Sequence, residues 1–121
     1  MDKATTKELL KFILESIFLI KRRFEKIESA DDFLRDDEGL DKLDSISMRL
    51  QAIGEALKNI YKRDKEFLLQ VGDKEYWSQI IKTREILTHH YINIDSEIIY
   101  MICDEKIKEL QEKIELLLAK L

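Results

Sequence analysis

The sequence predicts an all-α fold, a four-helix antiparallel bundle with one short extra helix, in one domain spanning residues 1–121. Three observations carry this expectation. Proline is absent and only three glycines occur in 121 residues, so the residues that break or weaken helices are scarce. Charged residues make up 38% of the chain, and Leu, Ile, Lys and Glu dominate, as in amphipathic helices with solvated outer faces. Apolar residues recur at steps of three and four, the helical period.

The first helix is expected from Thr6 to Ile27, with Leu10, Ile13, Ile17, Ile20, Phe24 and Ile27 on one stripe. Thr5 or Thr6 can cap it, because a hydroxyl accepts a bond from a free first-turn N–H. Ser29, with Asp32 three residues on, is a weak helix start. The segment around it forms one short turn with Phe33 and Leu34 tucked inward, ended by Gly39. The second helix runs from about Asp41 to Leu69, carrying Leu43, Ile46, Leu50, Ile53, Leu57 and Ile60. Gly54 sits inside it at a cost of roughly 1 kcal/mol relative to alanine, which implies close approach of a neighbouring helix. The third helix begins near Lys74 and carries Trp77, Ile80, Ile81, Arg84 and Leu87. Its end falls near His89. Asp95 can cap a fourth helix to Leu121, with Tyr100, Cys103, Ile107, Leu110, Ile114, Leu117 and Leu121 in strict three-four alternation.

Composition also excludes function classes. The net charge of −4 argues against a broad basic surface, though not against a small basic cleft. A single cysteine, Cys103, rules out an internal disulfide and a cysteine-based zinc site, and it reads as core. No apolar run approaches the roughly 18 residues of a membrane span, and charges interrupt the N-terminal apolar residues, unlike a signal peptide. A cytoplasmic protein with no membrane contact is expected. No glycine-rich phosphate loop is present, so neither a nucleotide nor any other cofactor is expected. The acidic run Asp36, Asp37 and Glu38 lacks calcium-loop spacing and reads as a polar turn, not a metal site. Lys58, Lys62 and Lys65 share a helix face, and Lys21, Arg22 and Arg23 form a run. Each is more simply a solvated face than an RNA contact.

One stretch does not fit a plain bundle. Arg84 lies seven residues after Trp77 and seven before Tyr91, so a guanidinium sits on the apolar seam, where an unpaired charge is costly. Its ordinary arrangement is a stem packed inward with the head on water or a carboxylate. Glu55, beside Gly54, is a candidate buried partner. His89 and His90 are the only histidines, and histidine suits proton transfer near neutral pH. On a regular helix His89 lies about 140° from Arg84. The two converge only if the helix unwinds at its end or a second copy of the chain supplies one of them.

The spacing of Arg84, four residues, His89, one residue, Tyr91 resembles the Arg-x4-His-x-Tyr motif of HepT-type toxins in the HEPN superfamily. "IGEALKNI" from Ile53 is similar to that family's Gly-Glu-Ala helix. Trp77 precedes the motif at the usual distance, and "HHYINIDSEIIY" resembles its His-x-Tyr segment and the aspartate opening the last helix. The similarity covers most of the chain.

This resemblance implies a HEPN-like bundle that pairs into a homodimer, with the two motifs facing one cleft as a metal-independent endoribonuclease site. It implies Arg84 and His89 as catalytic residues; beside it, Glu85, His90 and Glu55 are supporting candidates. It also implies a toxin–antitoxin system of the type VII kind. The partner is then a minimal nucleotidyltransferase antitoxin that adds AMP to Tyr91. Many relatives carry Asn or Asp directly after the arginine, where this chain has Glu85. A longer acid there can repel a phosphate or pair with Arg84, which weighs against strong catalysis. Two other classes stand beside the RNA-cleaving one: a non-catalytic binding subunit of a nucleotidyltransferase, and a plain helical dimerisation module.

Overall fold

The computed structural model describes residues 4–89 and 95–121. The chain forms the expected all-α bundle, and the described residues contain no strand. Helix α1 spans Thr6–Phe24, and the Thr5 hydroxyl caps it by accepting from the Glu8 N–H at 3.0 Å. It ends a turn earlier than its apolar stripe. Glu25 and Ile27 donate to carbonyls three residues back, a tighter closing turn that still buries Ile27.

A 3-10 turn follows at Ala30–Phe33. Phe33 is fully buried, but Leu34, expected inside, is 55% exposed. One short turn has a single inward position here, and Phe33 takes it. Asp32 folds back to accept from the Glu28 N–H at 2.8 Å. That bond, chiefly, holds its carboxyl below the usual range, with Arg35 assisting.

Helix α2, Asp37–Leu68, is the centre of the molecule. Asp36 caps it, accepting from the Gly39 N–H at 2.8 Å, so the acidic run is the opening of a helix. Gly39 therefore lies in the first turn of α2 instead of ending the segment before it. A Cβ at this position would run into the Asp32 carbonyl, which is the reason for glycine here. All six stripe residues from Leu43 to Ile60 are buried. The helix kinks at Asp64, whose φ of −154° and ψ of 65° leave the helical region. The Asp64 carboxylate then accepts from the Phe67 N–H at 3.4 Å and recaps the last turn.

Helix α3, Lys74–His89, runs antiparallel to α2. Asp73 caps its start by accepting from the Tyr76 N–H at 2.8 Å. The C-terminal helix has three parts. Helix α4, Ser96–Met101, is capped by Asp95, which accepts from the Glu97 and Ile98 N–H groups at 2.9 and 3.2 Å. A π-helical turn, Ile102–Lys106, leads into α5, Ile107–Ala119.

That wide turn corrects the expected uninterrupted helix. Ile99 and Ile107 would be about 80° out of phase on a regular α-helix. A π turn holds more residues per turn and removes most of the difference. Both isoleucines are buried, in line with Leu110, Ile114 and Leu117. Tyr100 and Cys103, expected on the seam, are only partly buried at its flank. Leu121 is 55% exposed beyond the helix end.

Helix α2 packs on α1 along one flank and α3 along the other, and α5 packs on α1. Arg63 donates to the Ala4 carbonyl at 2.6 Å and Arg49 to the Ser16 hydroxyl at 3.4 Å, fixing α1 antiparallel to α2. Lys21 joins α1 to α5 through Gln111 at 2.8 Å. Among the described residues, no helix is long and apolar enough to cross a membrane.

Candidate active site

Two contacts set the rotation of α3. At its start Trp77 is fully buried, and its indole N–H donates to the Leu68 and Gly72 carbonyls at 2.9 and 3.1 Å. This seals the loop between α2 and α3 and satisfies backbone acceptors at a helix end. Seven residues on, Arg84 meets α2 at Gly54. A Cβ on residue 54 would lie 2.6 Å from the Arg84 Cβ, closer than side-chain carbons approach. The close approach inferred for Gly54 is therefore real, and Arg84 is the residue that makes it.

The next residue on α2 supplies the counter-charge. An Arg84 guanidinium nitrogen (Nη1) lies 3.1 Å from a Glu55 carboxylate oxygen. The arginine is 22% exposed and the glutamate 52%, so this is a pair at the mouth of the helix seam, screened on one side by solvent. The Arg84 stem packs inward and its head takes a carboxylate, as expected of an arginine on a seam. Its Nε is buried without a hydrogen-bond partner among the described residues. A buried donor left open in this way costs about 1–3 kcal/mol until an acceptor reaches it. Glu85 is exposed on the outer flank of α3, with no ion-pair partner among the described residues.

Helix α3 stays helical through His89. Five residues of regular helix separate the Cα positions of Arg84 and His89 by about 140°. The unwinding that would swing them together within one chain does not occur. The side chain of His89, and His90 and Tyr91 entirely, lie outside the described residues. From the candidate set the structure thus brings together Glu55 and Arg84, at the close approach made by Gly54.

The other flank of α3 borders an apolar cavity of about 370 Å³, which the sequence did not reveal. Leu50 and Ile53 of α2 form its floor, Ile80 and Leu87 one wall, and Ile102 and Leu110 the other. Its parts lie on three helices distant in sequence, so no local pattern signals it. Tyr76 closes one end, with the Lys113 ammonium 4.6 Å from its ring centre. Lys113 also donates to the Val71 carbonyl at 2.7 Å. Burial, then the charge of Glu109, pushes the Tyr76 phenol well above its ordinary value. Burial, then Asp104, pushes the Cys103 thiol up to about 12. Both groups stay neutral at physiological pH, and neither is poised as a nucleophile.

The chain is 30% identical over 105 residues to the gamma-glutamylcyclotransferase and putative RNase of Methanocaldococcus jannaschii, an alignment covering 87% of this chain and 44% of that protein. The chain therefore spans less than half the length of this curated relative. No solved structure matches the chain significantly. Residues 13–117, from the middle of α1 to near the end of α5, match the family described as ribonuclease HepT-like. On that match, which covers most of the chain, this chain belongs to the HepT-like ribonuclease family.

Proposed function

We propose that this protein is a metal-independent endoribonuclease toxin acting as a homodimer, with a composite site built from Arg84 and His89 of both protomers. The observation that carries the reading is Arg84 itself. It is a guanidinium anchored by its stem against Gly54, with its head at the mouth of the seam and its Nε unpartnered among the described residues. Such a group is preorganised for an anion, because a planar fork of donors fits phosphate oxygens and the positioning cost is already met. The unbroken helix from Arg84 to His89 favours a second copy as the source of the histidine facing each arginine.

Metal-free RNA cleavage needs a base, an acid and positive charge. One His89 takes the proton of the 2′-hydroxyl as its oxygen attacks phosphorus. The other His89 gives a proton to the 5′ oxygen as the P–O5′ bond breaks. Arg84 holds the non-bridging oxygens through the charged phosphorane. Tyr91 contacts the nucleotide. A minimal nucleotidyltransferase partner silences the site by placing AMP on Tyr91, adding negative charge and bulk where RNA must enter.

The test is incubation of the purified chain with mixed RNAs in excess chelator, beside His89→Ala. Cleavage by the parent alone supports the reading. No cleavage by parent that is folded, dimeric and free of AMP on Tyr91 rejects it. A second reading, a non-catalytic binding subunit of the nucleotidyltransferase, has its own support: Glu55 already neutralises Arg84, and Glu85 adds a second acid beside it.

A further inference from the structure

The α2–α3 pair has two sides. One faces the apolar cavity, through Leu50 and Ile53 of α2 and Ile80 and Leu87 of α3. On α3, relative to Arg84, those positions lie on one flank, and Lys74, Ser78, Ile81 and Glu85 lie on the opposite flank. On α2, Glu55, Lys58 and Lys62 step by three and four, so they share one face. That face precedes the kink at Asp64, where the helical phase breaks. The Glu55–Arg84 contact shows where it points: outward, beside α3, away from the cavity.

Lys58, Lys62 and Lys74 are all exposed, and among the described residues none has a hydrogen-bond or ion-pair partner. Lys7, Lys11 and Lys108 of α1 and α5 are likewise exposed without such a partner among the described residues, whereas some other cations are engaged in structure. Lys21 binds Gln111, Lys42 pairs with Glu38, Lys113 with Glu109, and Arg63 binds a carbonyl. Lys62 lies seven residues from Glu55, about 10 Å along α2. Lys74 lies ten residues from Arg84, about 15 Å along the antiparallel α3. The three ammonium groups therefore mark a line that starts beside Arg84 and runs along the outer groove between the helices.

We propose that this groove is the track for the RNA backbone, with Lys58, Lys62 and Lys74 binding successive phosphates of the strand whose scissile phosphate sits at Arg84. The proposal rests on the ribonuclease reading. A strand cut in the middle must leave the site on both sides, and a line of unpaired ammonium groups matches its repeating negative charge. Glu55 and Glu85 lie at the Arg84 end of the line, and the exposed Asp73 and Glu75 flank Lys74 at the other end. Of the named flank positions beyond Glu55 and Glu85, Lys58, Lys62 and Lys74 carry charge, and Ser78 and Ile81 carry none.

The test compares two triple variants on a His89→Ala background, so that RNA stays intact. One is Lys58→Gln/Lys62→Gln/Lys74→Gln. The other is Lys7→Gln/Lys11→Gln/Lys108→Gln, which removes the same charge from exposed lysines of α1 and α5. Binding of a single-stranded RNA oligonucleotide is measured from low to high salt, with thermal melts confirming that both variants fold. Each lost phosphate contact lowers the log–log salt slope by about 0.7, so the track triple should lose about 2 and the control almost nothing. With His89 restored, the track triple should raise KM for cleavage with kcat unchanged. An equal loss in both triples, or an unchanged slope in the track triple, overturns the proposal. So does intact RNA binding with lost binding of an acidic protein partner, which would assign the groove to that protein. If the parent cleaves no RNA, the ribonuclease reading fails, and the salt slopes still decide whether the groove binds RNA.

Discussion

Gly54 of α2 and Arg84 of α3 touch backbone to side chain, so closely that a Cβ at position 54 would lie 2.6 Å from the Arg84 Cβ. This single contact sets the spacing of the two helices where the candidate site sits. It also explains why a helix carries a glycine in its middle.

Gly54→Ala is expected to destabilise the protein despite alanine's better helix propensity. Propensity returns about 1 kcal/mol, while overpacking against a Cβ costs about 1–3 kcal/mol or more because neither backbone can yield freely. The melting temperature should fall by several degrees, and RNA cleavage should fall further as Arg84 is displaced. A variant as stable and active as the parent would contradict the contact.

Glu55 neutralises the Arg84 head at 3.1 Å, so on the proposed reading an incoming phosphate competes with it. Glu55→Gln should lower KM for RNA severalfold, with stability changed by less than about 1 kcal/mol because the pair is half solvated. Arg84→Lys should lose most activity, since a point charge cannot replace the planar fork. Steady-state kinetics on both variants checks the pair. A higher KM in Glu55→Gln would mean that the glutamate holds the guanidinium in its productive place instead of competing for it.

Trp77→Phe leaves the Leu68 and Gly72 carbonyls without their indole donor. The loss should be about 1–3 kcal/mol, read by urea denaturation. Because Trp77 anchors the start of α3, hydrogen exchange should quicken in residues 69–77 before the rest of the helix.

Cys103 has its thiol pushed from 9.0 to about 12 by burial and by Asp104. Its reactive thiolate is correspondingly scarce, so alkylation at pH 8 should be at least about a hundredfold slower in the folded chain than in denaturant. The sign for stability follows. The folded state holds this proton more tightly than the unfolded state. The contribution is fully present below pH 9 and is lost as pH rises toward 12. Native alkylation at the rate of the unfolded chain would show the thiol to be open.

Much of this architecture is written locally. The three-four step placed α1, α2, α3 and the C-terminal helix, because the helical period depends only on neighbours along the chain. Caps at Thr5 and Asp95 were legible for the same reason: one side chain bonds N–H groups two or three residues on. A glycine inside a strong helix announced a close neighbour, and an arginine on a seam announced a special environment. Tertiary structure alone decided that these two announcements were one contact, and that Glu55 completes it, since Glu55 and Arg84 lie 29 positions apart in the chain. It decided that Phe33 and not Leu34 turns inward, and that Gly39 opens α2, because a carbonyl of the preceding turn occupies the space of a Cβ. It also inserted the π turn at Ile102–Lys106, which trades the expected Tyr100–Cys103 seam for Ile99. A sequence states which residues are apolar at which period. Which of two adjacent faces is buried depends on helices that arrive from elsewhere in the chain, and only their packing selects the phase.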